Sequence, residues 1–120
     1  MLAYHINQKE GTAKSVEIEP SLDELHKFVD CDCIDIVVRL VGGVAYNIVL
    51  DDEGLLRSDV RIGAVSASGD EVLAGNLLIF GVDDDGELRS LTPTELSLLE
   101  AHIYTFRRLD DKEGRVLTYD

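Results

Sequence analysis

The stretch Asn76-Leu-Leu-Ile-Phe-Gly-Val82 is almost wholly apolar and predicts a central β-strand. Because its apolar residues do not alternate with polar ones, both faces of this strand should be covered by other parts of the protein. An acidic turn, Asp83-Asp-Asp-Gly86, follows the strand, and residues 87–91 return the chain. The stretch therefore predicts a hairpin at the centre of a sheet.

Two capping motifs predict a helix before and a helix after this strand. In Ser21-Leu-Asp-Glu24 and in Thr92-Pro-Thr-Glu95, a hydroxyl side chain precedes a glutamate by three residues, so each side chain can bond the backbone N–H of the other residue. Apolar residues then recur at helical spacing. We expect helices over residues 21–30 and 93–108.

Alternation of apolar and polar residues predicts strands in most of the remaining chain. Residues 33–40 show the pattern clearly, and Gly42-Gly43 supplies a tight turn to a return strand. The strand and helix patterns together predict a core that contains eight apolar side chains: Leu25, Ile36, Val38, Leu78, Phe80, Leu99, Ile103 and Phe106.

A chain of 120 residues has room for one core, so we expect a single domain. Its predicted fold class is α+β, with an antiparallel sheet of five to seven strands, built from hairpins, and two helices. The domain is expected to span residues 1–109. Residues 110–120 are expected to form a polar tail that either stays irregular or adds an edge strand.

The charge is the unusual property of the composition: 24 acidic and 11 basic residues give a formal charge of −13. Such a charge opposes binding to nucleic acid and to anionic membranes. It favours a basic protein partner, including the basic groove of a nucleic-acid-binding enzyme, or it serves solubility alone. No membrane span and no secretory signal are visible, and two closely spaced cysteines favour the reducing cytoplasm.

Two kinds of binding residue are predicted. The first kind is a set of acidic side chains at hairpin turns that would contact a basic partner: Asp51, Asp52, Glu53, Asp83, Asp84, Asp85 and Glu87. The second kind is a set of arginines in and near the irregular, glycine-rich stretch 57–75, which would hold a small anionic ligand or instead pair with nearby acids: Arg57, Arg61 and Arg89.

No catalytic, cofactor or metal site is predicted. The acidic turns lack the oxygen spacing of a calcium loop. His26, Cys31 and Cys33 offer three zinc ligands where a structural site needs four, and their Cys-x-Cys spacing is too tight. The nucleophile-elbow, P-loop and dinucleotide-binding motifs are absent. We therefore expect a protein that is not an enzyme.

The segment from Val72, V-L-A-G-N-L-L-I-F-G-V-D-D-D-G-E-L-R-S-L-T-P-T-E, resembles the C-terminal half of a family of domains of unknown function. Members of that family occur in phages, plasmids and integrated mobile elements of Firmicutes and Actinobacteria. The resemblance covers roughly residues 15–107, and its motifs are turn glycines, caps and core residues. The chain departs from the family at Leu56-Arg-Ser-Asp-Val-Arg61, which replaces a segment of the form L-P-x-N-R.

The resemblance implies a mobile-element setting, in which small acidic proteins often counter restriction or other host defence. It brings no activity with it. The leading hypothesis is a non-enzymatic accessory protein that binds a basic macromolecule, in its sharpest form an antirestriction DNA mimic. The alternative is a binder, or sponge, of a small anion or nucleotide that uses the 57–75 loop. An enzyme of unknown reaction and a purely structural module are further alternatives.

Overall fold

A computed structural model describes all of residues 1–120 as ten strands and two helices. The helices are α1 (Leu22–Val29) and α2 (Pro93–Ala101), and a single 3-10 turn covers Gly54–Leu56. The strands are β1 (Leu2–Asn7), β2 (Thr12–Glu17), β3 (Ile34–Val41), β4 (Val44–Asp51), β5 (Ile62–Ser66), β6 (Val72–Ala74), β7 (Leu77–Val82), β8 (Leu88–Arg89), β9 (Ile103–Arg107) and β10 (Glu113–Tyr119). The fold is α+β, as predicted.

The larger sheet has the order β2-β1-β7-β4-β3, and the short strand β8 pairs with the end of β7. All of its neighbours are antiparallel. β7 lies at the centre, and its residues Leu77, Leu78, Ile79 and Phe80 are fully buried. This confirms that the apolar stretch 76–82 forms a central strand covered on both faces.

The sequence predicted one sheet, whereas the structure has a second sheet of four strands in the order β6-β5-β10-β9. The stretch 57–75, expected to be irregular apart from a short edge strand through Val60, Ile62 and Val65, supplies β6 and the interior strand β5. The segment 110–120, expected to be a polar tail or an edge strand, supplies β10, which lies between β9 and a parallel neighbour, β5. Parallel pairing joins segments far apart in the chain, so no local turn motif predicts it.

The second helix is shorter than predicted. Its capping box is present, because Thr92 accepts the Glu95 N–H and Glu95 accepts the Thr92 N–H. The helix ends at Ala101 instead of residue 108, and residues 103–107 form β9. The β-branched and aromatic residues of this segment favour a strand, and pairing with β10 overrides the helical spacing of its apolar residues.

The core consists of two apolar clusters, one on each face of the larger sheet. Four predicted core residues are buried in them: Leu25, Leu78, Phe80 and Leu99. The prediction is wrong for Ile36, Val38 and Phe106, which are 44%, 49% and 40% exposed, and Ile103 is only half-buried. The misplaced residues lie on β3 and β9, which are edge strands, and edge strands have a neighbour on one side only.

The strand directions place different turns at the two ends of the larger sheet. At one end, called the upper end here, lie the β1–β2 turn, the end of β4 and the start of β7. At the other, called the lower end, lie the β7–β8 turn at residues 83–87 and the start of α1, which follows β2. Neither helix is long and apolar enough to cross a membrane.

Candidate functional site

A cleft opens at the upper end of the larger sheet, with a volume of about 290 Å³. A second hollow of about 240 Å³ adjoins it and shares Lys9, Asp30 and Asn76 with it. We call the two together the upper cleft. Its charged lining residues are Lys9, Lys27, Asp30, Asp51, Arg57, Asp59 and Arg61.

The C-terminal end of the 57–61 loop is held against the Gly75 backbone. The Gly75 N–H donates to the Arg61 carbonyl at 2.7 Å. Gly75 has a φ of +85°, which favours glycine, and a Cβ on Gly63 would lie 2.5 Å from the Gly75 oxygen. Gly63 and Gly75 thus bring two chain segments close together and fix the backbone position of Arg61.

Asp51 is a buried carboxylate that orients Arg57. The Glu53 N–H donates to Asp51 Oδ1 at 2.9 Å, and Arg57 Nε donates to Oδ2. Burial opposes ionisation of Asp51, but these hydrogen bonds and the Arg57 charge outweigh it and hold the pKa of Asp51 below its ordinary value. The two Nη groups of Arg57 make no hydrogen bond within the protein, so they remain able to donate to a ligand.

Arg61 has no acidic partner. Its Nη1 donates to the Gln8 carbonyl at 3.2 Å, and Arg108 Nη1 donates to the same oxygen at 2.7 Å. Arg108 is neutralised by Asp110, at 3.0 Å, whereas no carboxylate lies within ion-pair distance of Arg61. The Gln8 N–H in turn donates to Asn76 Oδ1 at 2.8 Å. The guanidinium is therefore positioned by a neutral carbonyl and keeps its charge available.

Lys9 and Lys27 also have no ion-pair partner. With Arg57 and Arg61 they give the upper cleft four basic residues against the three acidic ones, Asp30, Asp51 and Asp59, and hence a net charge of +1. The rest of the chain has 7 basic and 21 acidic residues and a net charge of −14. The upper cleft is thus a locally cationic site on a strongly anionic protein.

The third predicted arginine, Arg89, does not belong to this cleft. It lies on β8 near the lower end, where its Nη1 and Nη2 donate to Glu95 Oε1 and Oε2 at 2.9 and 2.7 Å. The bonds from Arg89, followed by those from Thr92, lower the pKa of Glu95 to about 2 in spite of burial. Arg89 therefore stabilises the start of α2, in agreement with the ion-pair alternative for this residue.

The predicted acidic residues fall into two separate groups. Asp51, Asp52 and Glu53 lie at the upper end, and Asp51 is buried, so it cannot be a contact residue. Residues 83–87 lie at the lower end. There Asp83 accepts the N–H groups of Asp85 and Glu87 at 2.8 Å and closes the turn.

The lower end also gathers acidic residues that the sequence analysis did not select. They are Glu17 at the end of β2, Glu19 just after it, and Asp23 and Glu24 in the first turn of α1. A helix N-terminus favours acidic residues, which was the only signal in the sequence for two of them. Their placement beside the 83–87 turn depends on strand order, which no local pattern shows.

The two cysteines lie at the junction between α1 and β3, with Cys31 half-buried and Cys33 exposed. Burial raises the pKa of the Cys31 thiol to about 11, so the thiol stays protonated. No group of three or more His, Cys, Asp and Glu side chains is arranged to hold a metal ion.

His5 is a wall residue of the upper cleft that the sequence analysis missed. It is buried on β1, its Nε2 lies 2.9 Å from the Phe28 carbonyl, and its ring meets the Phe28 ring edge-on at 5.1 Å. Burial lowers the pKa of His5. The residue therefore ties α1 to β1 as a neutral side chain and adds no charge to the cleft.

A family model described as a domain of unknown function, DUF3846, matches residues 1–104. No curated protein and no solved structure matches the chain. The match confirms the coarser part of the resemblance, a family of domains of unknown function. The matched span contains every residue that lines the upper cleft, and it ends before β10.

Proposed function

The chain belongs to the DUF3846 family, and from this premise we propose that it is a non-catalytic binding protein that holds a small anionic ligand in the upper cleft. The observation that carries the proposal is the grouping of unpaired cations. Lys9, Lys27 and Arg61 have no carboxylate partner although the chain has more than twice as many acidic as basic residues. Unneutralised charge concentrated at a concave site is the usual basis for binding an opposite charge.

The chemistry of the cleft fits a phosphate-bearing ligand such as a mononucleotide. A guanidinium donates two parallel hydrogen bonds to phosphate oxygens, and Arg57 retains both of its Nη groups for that purpose. The Asp30 and Asp59 carboxylates supply acceptors for hydroxyl or amino groups of the same ligand, and the Asn76 side-chain NH2 supplies donors. A volume of about 290 Å³ lies at the lower limit of small-molecule sites.

Calorimetric titration with AMP, ADP and pyrophosphate tests the proposal. We expect Arg61→Ala to weaken binding by about tenfold or more, corresponding to about 1.4 kcal/mol. Arg39→Ala removes an arginine of β3 that is paired with Glu71 and lies away from the cleft, and it should leave affinity unchanged. Absence of binding for all three ligands at about 1 mM, or equal losses in the two variants, would refute the proposal.

The acidic lower end supports a second candidate function, the binding of a basic macromolecular partner. Its side chains Asp84, Asp85 and Glu87 are exposed and make no ion pair. In this candidate the protein is an accessory factor of a phage or mobile element, with an anti-defence DNA mimic as its sharpest form. The division of the predicted acidic residues between two ends of the sheet argues against one continuous stripe and places this candidate second.

Neutralising the acidic residues of one end of the sheet at a time tests which end contacts a basic partner. The triple variant Asp84→Asn, Asp85→Asn, Glu87→Gln should abolish retention of a basic partner from host lysate and should leave folding intact, because exposed turn charges stabilise little. Asp83 is left unchanged because it closes the turn. The variant Asp52→Asn, Glu53→Gln, which removes two charges, is the control at the upper end. Retention that withstands high salt or is equal in both variants would exclude the lower end as the contact surface.

A further inference from the structure

The free edge of β3 carries an exposed apolar row. Ile36, Val38 and Leu40 point to the same face of the larger sheet and are 44%, 49% and 48% exposed. The opposite edge strand, β2, instead exposes Thr12, Lys14, Ser15 and Glu17. Charged and polar side chains are the usual protection of an edge against pairing, so β3 is the less protected edge.

The outward backbone groups of β3 belong to the same alternate residues. In an antiparallel pair, alternate residues direct both N–H and C=O away from the neighbour. The Ile36 N–H donates to Asp35 Oδ1 at 2.8 Å and to no carbonyl of β4, while the Val38 carbonyl accepts from Arg39 Nη1 at 2.8 Å. The Leu40 carbonyl accepts from the Asp120 N–H, which closes the edge at that residue. The segment available for pairing is therefore 34–38.

The residues of β3 are complementary to themselves around Val37. When two copies of the strand run antiparallel about a two-fold axis at Val37, Ile36 of one copy lies opposite Val38 of the other, and Asp35 lies opposite Arg39. Opposite charges facing each other stabilise a cross-strand pair, and so do facing β-branched side chains. A parallel arrangement or a shift of one residue destroys both matches.

We propose that two copies of this chain associate through antiparallel pairing of their β3 edges, with the two-fold axis at Val37. The Ile36 N–H then donates to the Val38 carbonyl of the second copy, and the Val38 N–H donates to the Ile36 carbonyl of the second copy, with the same two bonds repeated by symmetry. The pairing ends at residues 36–38, because Ile34 lies opposite Leu40 of the second copy, whose carbonyl is bonded to the Asp120 N–H. Asp35 is then released from the Ile36 N–H. Arg39 keeps the bond from its Nε to Glu71 Oε1, at 2.7 Å, and its Nη1 turns from the Val38 carbonyl to Asp35 of the second copy. Leu55 and Leu56, 58% and 85% exposed near Asp35 on the other face, extend the apolar contact.

Sedimentation equilibrium from about 10 µM to about 1 mM tests the proposal. The expected mass rises towards that of two 13.2 kDa chains. Asp35→Lys places a lysine opposite each Arg39 and should raise the dissociation constant about tenfold or more. Asp84→Lys makes the same charge change at the lower end and should leave association unchanged. The triple change Asp35→Lys, Arg39→Glu, Glu71→Lys reverses the charges across the interface and keeps an ion pair at the Arg39–Glu71 position, so it should restore the dimer.

Two further measurements test the backbone pairing itself, independently of charge. Val38→Pro removes only the outward N–H, so it should prevent association with little effect on the melting temperature. In the unchanged protein, exchange of the Val38 amide hydrogen should slow as concentration rises. A chain that stays monomeric at about 1 mM, or that responds alike to Asp35→Lys and Asp84→Lys, would overturn the proposal.

Discussion

The presence or absence of a neighbouring carboxylate distinguishes the roles of Arg89 and Arg61. Arg89 is held by both oxygens of Glu95 and serves the fold, whereas Arg61 is held only by the Gln8 carbonyl and keeps an uncompensated charge. The sequence singled out both residues because they stand out against an acidic background. Which of them meets a carboxylate depends on tertiary contacts between segments far apart in the chain, so the sequence could name the candidates without separating them.

Burial separates two residues that the sequence treated as equivalent parts of the core. Leu99 is fully buried, and truncation to alanine should cost about 2–5 kcal/mol in the free energy of unfolding. Phe106 is 40% exposed on β9, so Phe106→Ala should cost less. Urea denaturation of both variants measures the difference. A loss below about 0.5 kcal/mol for Leu99→Ala would show that α2 does not pack against the sheet as described.

At the scale of elements, the strongest local signals gave the right positions for the starts of both helices. The Ser21 and Thr92 side chains cap them as predicted, at 3.3 and 3.2 Å from the N–H groups of Glu24 and Glu95. The reciprocal bond is present only in α2, because the Ser21 N–H donates to the Glu19 carbonyl at 2.8 Å and not to Glu24. The end of α2 was wrong, because residues 103–107 satisfy a helical spacing and a strand composition at once. Pairing with β10 selects the strand over the helix. A partner strand that is distant in the chain cannot be recognised from the local sequence.

The pair Arg89–Glu95 makes the stability of the α2 start dependent on pH. The pKa of Glu95 falls from 4.5 to about 2 on folding, so this carboxylate stabilises the protein above its unfolded pKa, and the contribution is lost as pH falls from about 4.5 to about 2. At pH 7, Glu95→Gln should cost roughly 2 kcal/mol, allowing for the partly exposed Arg89. The difference in unfolding free energy between variant and unchanged protein should shrink across that pH window. A difference that is constant from pH 7 to pH 3 would contradict this assignment.

At the scale of the whole molecule, β10 joins the two ends of the sequence. Its Leu117 and Tyr119 are buried in the same cluster as Tyr4 and Ile6 of β1, and its neighbours are β5 and β9. A chain that ends at residue 109 should therefore fail to fold cooperatively, although it contains the whole span matched by the family model. Circular dichroism during heating measures this. A sharp melting transition for residues 1–109 would show that β10 is dispensable.

The distribution of charge is also a property of the whole molecule. Composition predicted an acidic protein, but the separation into a cationic upper cleft and an acidic lower end arises from strand order. The sheet brings Lys9, Lys27, Arg57 and Arg61, which lie in four different segments, to one end. Such a grouping depends on pairings between distant segments, whereas hairpins and capped helices depend on neighbours in sequence.

The claim that this grouping is a binding site is tested most directly by amide NMR shifts during titration of the unchanged protein with ADP. The proposal predicts saturable shifts confined to the residues around the upper cleft, among them Lys9, Lys27, Arg57, Arg61 and Asn76, and no shifts at residues 83–87. Shifts that are absent at about 1 mM ADP, or that spread over every basic residue of the surface, would contradict it.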